Sequence, residues 1–233
     1  MAADTIRLKL CTSQQRSNTI DRDEILARQR QLMIDEHLKA RGIVDPRVLA
    51  AMASIKRENF IPDKYLVDAY GDHPVPIGSN QTISQPYIVA LMSQLCEFSG
   101  TEKVLEIGCG SGYQAAVLSR LAAEVYSIER IKTLAESSGI RLLQEGCLNV
   151  TVVHGDGYCG LPERAPFDVI IVTAAPVVIP EKLVDQLAEN GRMVLPVGDS
   201  VQKLLRLTRM GGEIITEDFA YVRFVPMVKG YNL

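Results

Sequence analysis

Val104-Leu105-Glu106-Ile107-Gly108-Cys109-Gly110-Ser111-Gly112-Tyr113 is the stretch from which the fold can be read. Apolar residues and one acid end in a run with glycine at every second position, and a helical pattern follows from Gln114 to Leu121. That is the order of a buried strand, a tight turn and a helix N-terminus. Lacking Cβ, the glycines permit positive φ and let a ligand lie against the main chain. The helix start offers unpaired N–H groups and the positive end of a dipole. A dinucleotide fingerprint G-x-G-x-x-G requires its third glycine at position 113, where this chain has Tyr113, so a nicotinamide dehydrogenase is disfavoured. The plain alternative is a tight strand–helix turn with no ligand.

The spacing is instead G-x-G-x-G, through Gly108, Gly110 and Gly112 with Glu106 just ahead, and it resembles motif I of the S-adenosylmethionine-dependent methyltransferases. Such a site hosts an ammonium, a carboxylate, a sulfonium and a nucleoside. It has no pyrophosphate to cradle, so an acidic residue at the strand end is welcome. A second acid, Glu129, closes the run Glu124-Val125-Tyr126-Ser127-Ile128-Glu129. In a β-α-β unit this places a carboxylate at the C-terminal edge of the neighbouring strand, within reach of both ribose hydroxyls. An ordinary exposed Glu is the competing reading, and the glycine turn beside it makes that the poorer one.

Composition bounds the rest. The 233 residues suffice for one α/β domain with appended elements. A net charge of −3, with no basic stripe or tail, argues against a nucleic-acid partner. The longest apolar stretch, Val169 to Pro180, is broken by Thr173 and Pro176 and is too short to span a membrane. Five cysteines without a C-x-x-C pair, and three scattered histidines, point away from disulfides and from a metal site and towards a reducing, cytoplasmic location. The chain is expected to act as a monomer.

Along the chain, residues 1–21 read as a tail and 22–233 as a single domain. Its parts are N-terminal helices with a substrate loop (22–99), a cofactor-binding core (100–200) and C-terminal strands (201–233). An amphipathic helix from Arg22 to Arg41 stops at Gly42, and Asp45-Pro46 caps a second helix reaching Ile55. Arg57 to Asn80 reads mostly as an ordered loop. Ser84 reads as an N-cap for a helix to about Glu97, with Pro86 in its first turn. Strands at Lys103–Ile107, Glu124–Ile128, Val150–Val153, Phe167–Val172 and Arg192–Leu195 alternate with helices at Gly112–Leu121, Ile131–Glu145 and Pro180–Leu187. Val201–Thr208 and Glu213–Ile215 form a hairpin, with a last strand at Tyr221–Val225. The pattern predicts an α/β, Rossmann-like fold: a doubly wound, mostly parallel sheet with antiparallel C-terminal strands and N-terminal accessory helices. Asp156-Gly157 follows the third strand, where a contact to adenine and a simple Asp-Gly turn are equally good explanations.

Three stretches are more particular: Arg57-Glu58-Asn59-Phe60-Ile61-Pro62, Ala69-Tyr70-Gly71-Asp72 leading to Pro76-Ile77-Gly78, and Gln81-Thr82-Ile83-Ser84-Gln85-Pro86. With the glycine turn and Arg223-Phe224-Val225-Pro226-Met227, the chain from about Arg22 to Gly230 resembles the protein-L-isoaspartate (D-aspartate) O-methyltransferase family. The resemblance implies a class I methyltransferase using S-adenosylmethionine, releasing S-adenosylhomocysteine, and acting on isoaspartyl-containing proteins and peptides. It implies Ser84 as the site serine and Gln81, Thr82 and Ile83 as the wall between cofactor and substrate. Glu106, Gly108, Cys109, Gly110, Ser111, Gly112, Glu129, Arg130, Asp156 and Gly157 would serve the cofactor, and the Val225 main chain the substrate. Some members carry histidine where Tyr87 stands, so a cofactor contact at that position is not carried over. A methyltransferase for another carboxylate or a small molecule, and a binding module without turnover, remain as competing readings.

Overall fold

The computed structural model describes residues 22–231, so the expected tail, residues 1–21, lies outside the described residues. Helix α1 covers residues 22–32 and runs on through a π-helical turn, Met33–Leu38, and a 3-10 turn, Lys39–Arg41. It stops at Gly42, whose φ of +90° suits glycine alone. Helix α2, Pro46–Ser54, starts as the sequence predicts: Asp45 Oδ1 accepts hydrogen bonds from the Arg47 and Val48 N–H groups. The segment expected to be loop carries two 3-10 turns, Arg57–Phe60 and Asp63–Asp68, and a small hairpin. Strands β1 (Val75–Gly78) and β2 (Gln81–Ile83) pair antiparallel around Ser79 and Asn80, both at positive φ, as a two-residue hairpin turn requires.

Ser84 does not cap the next helix. Helix α3, Pro86–Leu95, has Gln85 at its N-cap with no side-chain bond, because Pro86 at N1 leaves less to cap. Ser84 is thereby left in the turn between β2 and α3.

The main sheet has seven strands in the order β5-β4-β3-β6-β7-β8-β9. They are β3 (Lys103–Ile107), β4 (Glu124–Glu129), β5 (Val150–His154), β6 (Phe167–Val172), β7 (Leu187–Gly198), β8 (Gln202–Met210) and β9 (Glu213–Val222). β5, β4, β3, β6 and β7 run parallel, β8 is antiparallel to β7, and β9 is antiparallel to β8. β7 begins five residues before the expected strand because Asn190 and Gly191, which read as a turn leading into it, sit inside it. Tyr221 and Val222 finish β9, so the separate last strand is absent. Helices α4 (Tyr113–Leu118) and α6 (Glu181–Val184) are shorter than expected, and α5 (Lys132–Gln144) fills nearly all of its predicted span.

Both faces of the sheet are covered. Val104 faces one buried cluster with Val89, Ala116 and Met52; Leu105 and Ile107 face the other with Phe167, Ile170 and Leu183. Alternation along β3 therefore turns Glu106 to the Val104 face, into the interior. Burying each such aliphatic side chain stabilises the fold by about 1.5–3 kcal/mol. The strand order reverses between β3 and β6, and a crevice opens beyond their C-terminal ends there.

Candidate active site

The crevice is built around the glycine turn. After β3, the Gly108 and Cys109 N–H groups both donate to the Ile128 carbonyl, and Gly112 N–H closes back on the Cys109 carbonyl at 2.8 Å. Gly108 sits at φ +96°, and a Cβ there would stand 2.5 Å from Thr173 Oγ1. Thr173, at the end of β6, donates its hydroxyl to the Gly108 carbonyl at 2.6 Å. Gly157 is required for a different reason, since a Cβ would meet Ile107 Cγ2 at 2.4 Å.

Glu129 ties the turn to β4. Its Oε2 accepts from Gly110 N–H at 2.8 Å and its Oε1 from Ile131 N–H at 2.9 Å. Although only 5% of the residue is exposed, it lines the cavity, and each oxygen retains a lone pair for a further donor. Glu106 is placed differently. It is fully buried under the turn and does not line the cavity, one oxygen accepting from the Ser127 hydroxyl and the other, Oε1, without a partner. Burial, opposed by the Ser127 bond and helped by the Glu129 charge, pushes its pKa from 4.5 up to about 8. Cys109 is buried, its thiol donates to Ser138 Oγ, and desolvation raises its pKa to about 12, so it is no nucleophile at neutral pH.

The C-terminal segment closes one side of the cavity. Ala175 N–H donates to the Val225 carbonyl and Met227 N–H to the Ala175 carbonyl, both at 2.8 Å. Beyond them Gly230 is fastened twice: its N–H donates to Asp156 Oδ2 at 2.8 Å and its carbonyl accepts from Arg130 Nε. The Tyr231 ring stands edge-on to His154, 5.1 Å between centroids. Asp156, expected at adenine, thus has both oxygens engaged, the other accepting from Tyr158 N–H in the turn that an Asp-Gly pair favours.

The resulting cleft has a cavity volume of about 110 Å³. Gln81, Thr82, Ile83, Ser84, Gly108, Cys109, Gly110, Ser111, Glu129, Arg130, Gly157 and Val225 all line it; Glu106, Gly112 and Asp156 do not. A second, wider groove of about 810 Å³ lies alongside, bordered by Arg41, Gln85, Tyr87 and residues 220–225. Thr82, Ser84, Thr173 and Val225 border both spaces. The Ser84 hydroxyl makes no hydrogen bond within the described residues, and only its carbonyl is engaged, by Arg57. Tyr87 borders only the outer groove, its ring under the Arg41 guanidinium at 3.6 Å.

Thr173, which with Ala174 to Pro176 falls beyond the C-terminal ends of the parallel strands, where the sequence order puts a ligand, lines the inner cleft. Pro226 and Met227 carry the family resemblance but no predicted site role, and they line the cleft together with Val228. Nothing in the pattern marks that role, because irregular segments carry no periodicity.

Comparison with known proteins decides among the methyltransferases. The family model for protein-L-isoaspartate(D-aspartate) O-methyltransferase matches residues 28–232. This chain belongs to that family. A protein-L-isoaspartate O-methyltransferase of Vibrio cholerae is 50% identical over 195 residues, covering 84% of this chain and 94% of the relative. One from Methanoregula boonei is 51% identical over 205 residues, covering 88% and 94%. Among solved structures, a Plasmodium falciparum protein described as a putative family enzyme, in complex with S-adenosyl-L-homocysteine, superposes with a TM-score of 0.77. It is 30% identical, covering 87% of this chain and 99% of that one. Family membership accounts for the seven-strand mixed sheet as well as for the stretches on either side of Ser84. Among the described residues no helix is long and apolar enough to cross a membrane, and no group of three or more His, Cys, Asp or Glu side chains is arranged to hold a metal.

Proposed function

We propose that this protein transfers the methyl group of S-adenosylmethionine to the free carboxylate of L-isoaspartyl, and D-aspartyl, residues in damaged proteins and peptides, so beginning their repair. The observation that carries the reading is the seam shared by the two cavities. Ser84, with its unengaged hydroxyl, borders both the glycine-turn cleft and the outer groove, so two reactants can meet there.

The inner cleft fits the cofactor. Glu129 retains acceptor capacity at its rim for ribose hydroxyls, and Gly108 and Gly157 line the cleft where a side chain would collide with Thr173 and Ile107. When bound, the cofactor supplies an electrophilic methyl group on a sulfonium. The rest falls to this chain. An isoaspartyl carboxylate is already ionised at neutral pH, so no general base is needed, and the demand is alignment and exclusion of water. A neutral hydroxyl at Ser84 orients that carboxylate, whereas a lysine there would stabilise the anion and blunt it. Val225 gives its carbonyl to Ala175, so the backbone that faces a substrate peptide is held in place. Alignment of this kind can supply about 7 kcal/mol or more of the barrier reduction. The reading takes the protein as a cytoplasmic monomer acting on peptides, with no nucleic-acid or membrane partner, consistent with its net charge of −3.

Labelled-methyl transfer to two peptides, alike except for L-isoaspartate or L-aspartate at one place, tests the reading. Transfer to the isoaspartyl peptide alone is expected. Transfer to neither, with S-adenosylhomocysteine still bound, would replace it with another acceptor.

A further inference from the structure

Arg57 is a charged residue that lines neither cavity. It is fully buried, yet no carboxylate lies within ion-pair distance of it among the described residues. Its Nε donates to the Ala69 carbonyl at 2.8 Å and its Nη2 to the Ser84 carbonyl at 2.9 Å. Its guanidinium carbon lies 4.8 Å from the centre of the Tyr113 ring, and Nη1 is without a hydrogen-bond partner. Tyr113 follows Gly112 directly, lines the inner cleft and packs edge-on against Phe60, 5.6 Å between centroids. Burial lowers the Arg57 pKa from 12.5 to about 10, which still leaves it charged at neutral pH.

A buried guanidinium satisfied only by two carbonyls and a ring face is an expensive way to hold a loop. What distinguishes it from a neutral donor is the planar fork, which fixes two acceptors in one plane. Here one acceptor belongs to the residue between the two cavities, and the ring belongs to the element that follows the glycine turn. Asp72 anchors the next residues independently, accepting from Gln85 Nε2 at 2.7 Å and from Tyr87 N–H. The turn carrying Ser84 is thus pinned on its carbonyl side by Arg57 and on its far side by Asp72, while the hydroxyl stays available.

We propose that Arg57 is a positioning residue for methyl transfer, holding the Ser84 carbonyl and the Tyr113 ring in one rigid frame so that substrate and cofactor sides keep a fixed relation. Arg57 touches neither cavity, so it acts through Ser84 and Tyr113. The inference rests on Ser84 as the substrate-orienting residue.

The test compares Arg57→Lys, which keeps the charge and loses the fork, with Arg57→Gln, which keeps a planar donor and loses the charge. Turnover on an isoaspartyl peptide, S-adenosylhomocysteine affinity by calorimetry and thermal unfolding are measured for each, alone and combined with Ser84→Ala. Both single variants are expected to lose about 10–100-fold in kcat, the cost of small misplacement, with cofactor-product affinity unchanged. Combined with Ser84→Ala, neither should lower kcat further, since the two act as one unit. Wild-type kcat in a folded variant, additive losses, or a parallel fall in kcat and affinity would each overturn the proposal. Failure of both variants to fold would do so too, by making Arg57 a general structural residue. If Ser84→Ala alone retains full turnover, the reading of the site has failed and takes this inference with it.

Discussion

Glu106→Gln should change how stability depends on pH. Glu106 is fully buried and its Oε1 has no partner, so desolvation favours the neutral acid and raises the pKa from 4.5 to about 8 in the folded protein. The folded state therefore holds this proton where the unfolded chain has released it. Stability from the neutral carboxyl is complete below pH 4.5 and is lost as pH rises through about 8. The loss runs at about 1.4 kcal/mol per pH unit inside that window, which amounts to roughly 3 kcal/mol by pH 7. Glutamine has no proton to lose, so the variant's curve should lack this slope. Its absolute stability at low pH should be close to that of the wild type, because the neutral carboxyl already carries its proton at the same unpartnered position. Urea unfolding of both proteins at several pH values between about 5 and 8 measures the difference, and other titrating groups cancel in the subtraction. Parallel curves across the whole window would refute the reasoning and mean that Glu106 is ionised in the folded state.

Other outcomes follow from the site. Ser84→Ala should lower kcat strongly and leave S-adenosylhomocysteine affinity nearly unchanged; wild-type turnover would remove Ser84 from the mechanism. Glu129→Ala should weaken S-adenosylhomocysteine by roughly 1.5–3 kcal/mol, as expected for charge-assisted bonds, and unchanged calorimetric affinity would count against the ribose assignment. Gly108→Ala should destabilise by about 1–3 kcal/mol, because a Cβ meets the Thr173 hydroxyl and the backbone lies at positive φ. Adding Thr173→Ala should restore only the steric part, and full recovery in denaturant melts would show that the backbone contributes nothing. Asp156→Asn weakens the charge-assisted bond to Gly230 N–H and should speed release of S-adenosylhomocysteine in stopped-flow measurements; an unaltered rate would mean that the C-terminal segment does not gate the cleft.

Much of this architecture was legible because it repeats a few strong signals. The β3 glycine turn, Glu129 at the end of β4 and the strand–helix alternation each follow from periodicity and glycine spacing. Short elements were not legible. The β1–β2 hairpin is only a few residues on each side, and its Ser79-Asn80 turn is a weaker signal than Asn-Gly. From periodicity alone Ser84 reads as a cap, and the placement of Gln85 at the N-cap, just ahead of Pro86, overturns that reading. Glu106 looks like a ligand contact from its position before the glycines; alternation along a strand buried on both faces turns it inward instead. Nothing in the sequence announces that Arg57 reaches Ser84, since that contact links residues 57 and 84 across a segment without period.

The fastening of Gly230 to Asp156 and Arg130 also bears on how the protein can be handled. Pro226, Met227 and Val228 line one side of the cleft just ahead of this fastening, so anything joined to the chain shortly after it is tied to a wall of the cofactor site. An affinity tag or fusion partner placed there pulls on Gly230 and competes with its latch, and would register as altered cofactor retention in a protein whose fold is intact.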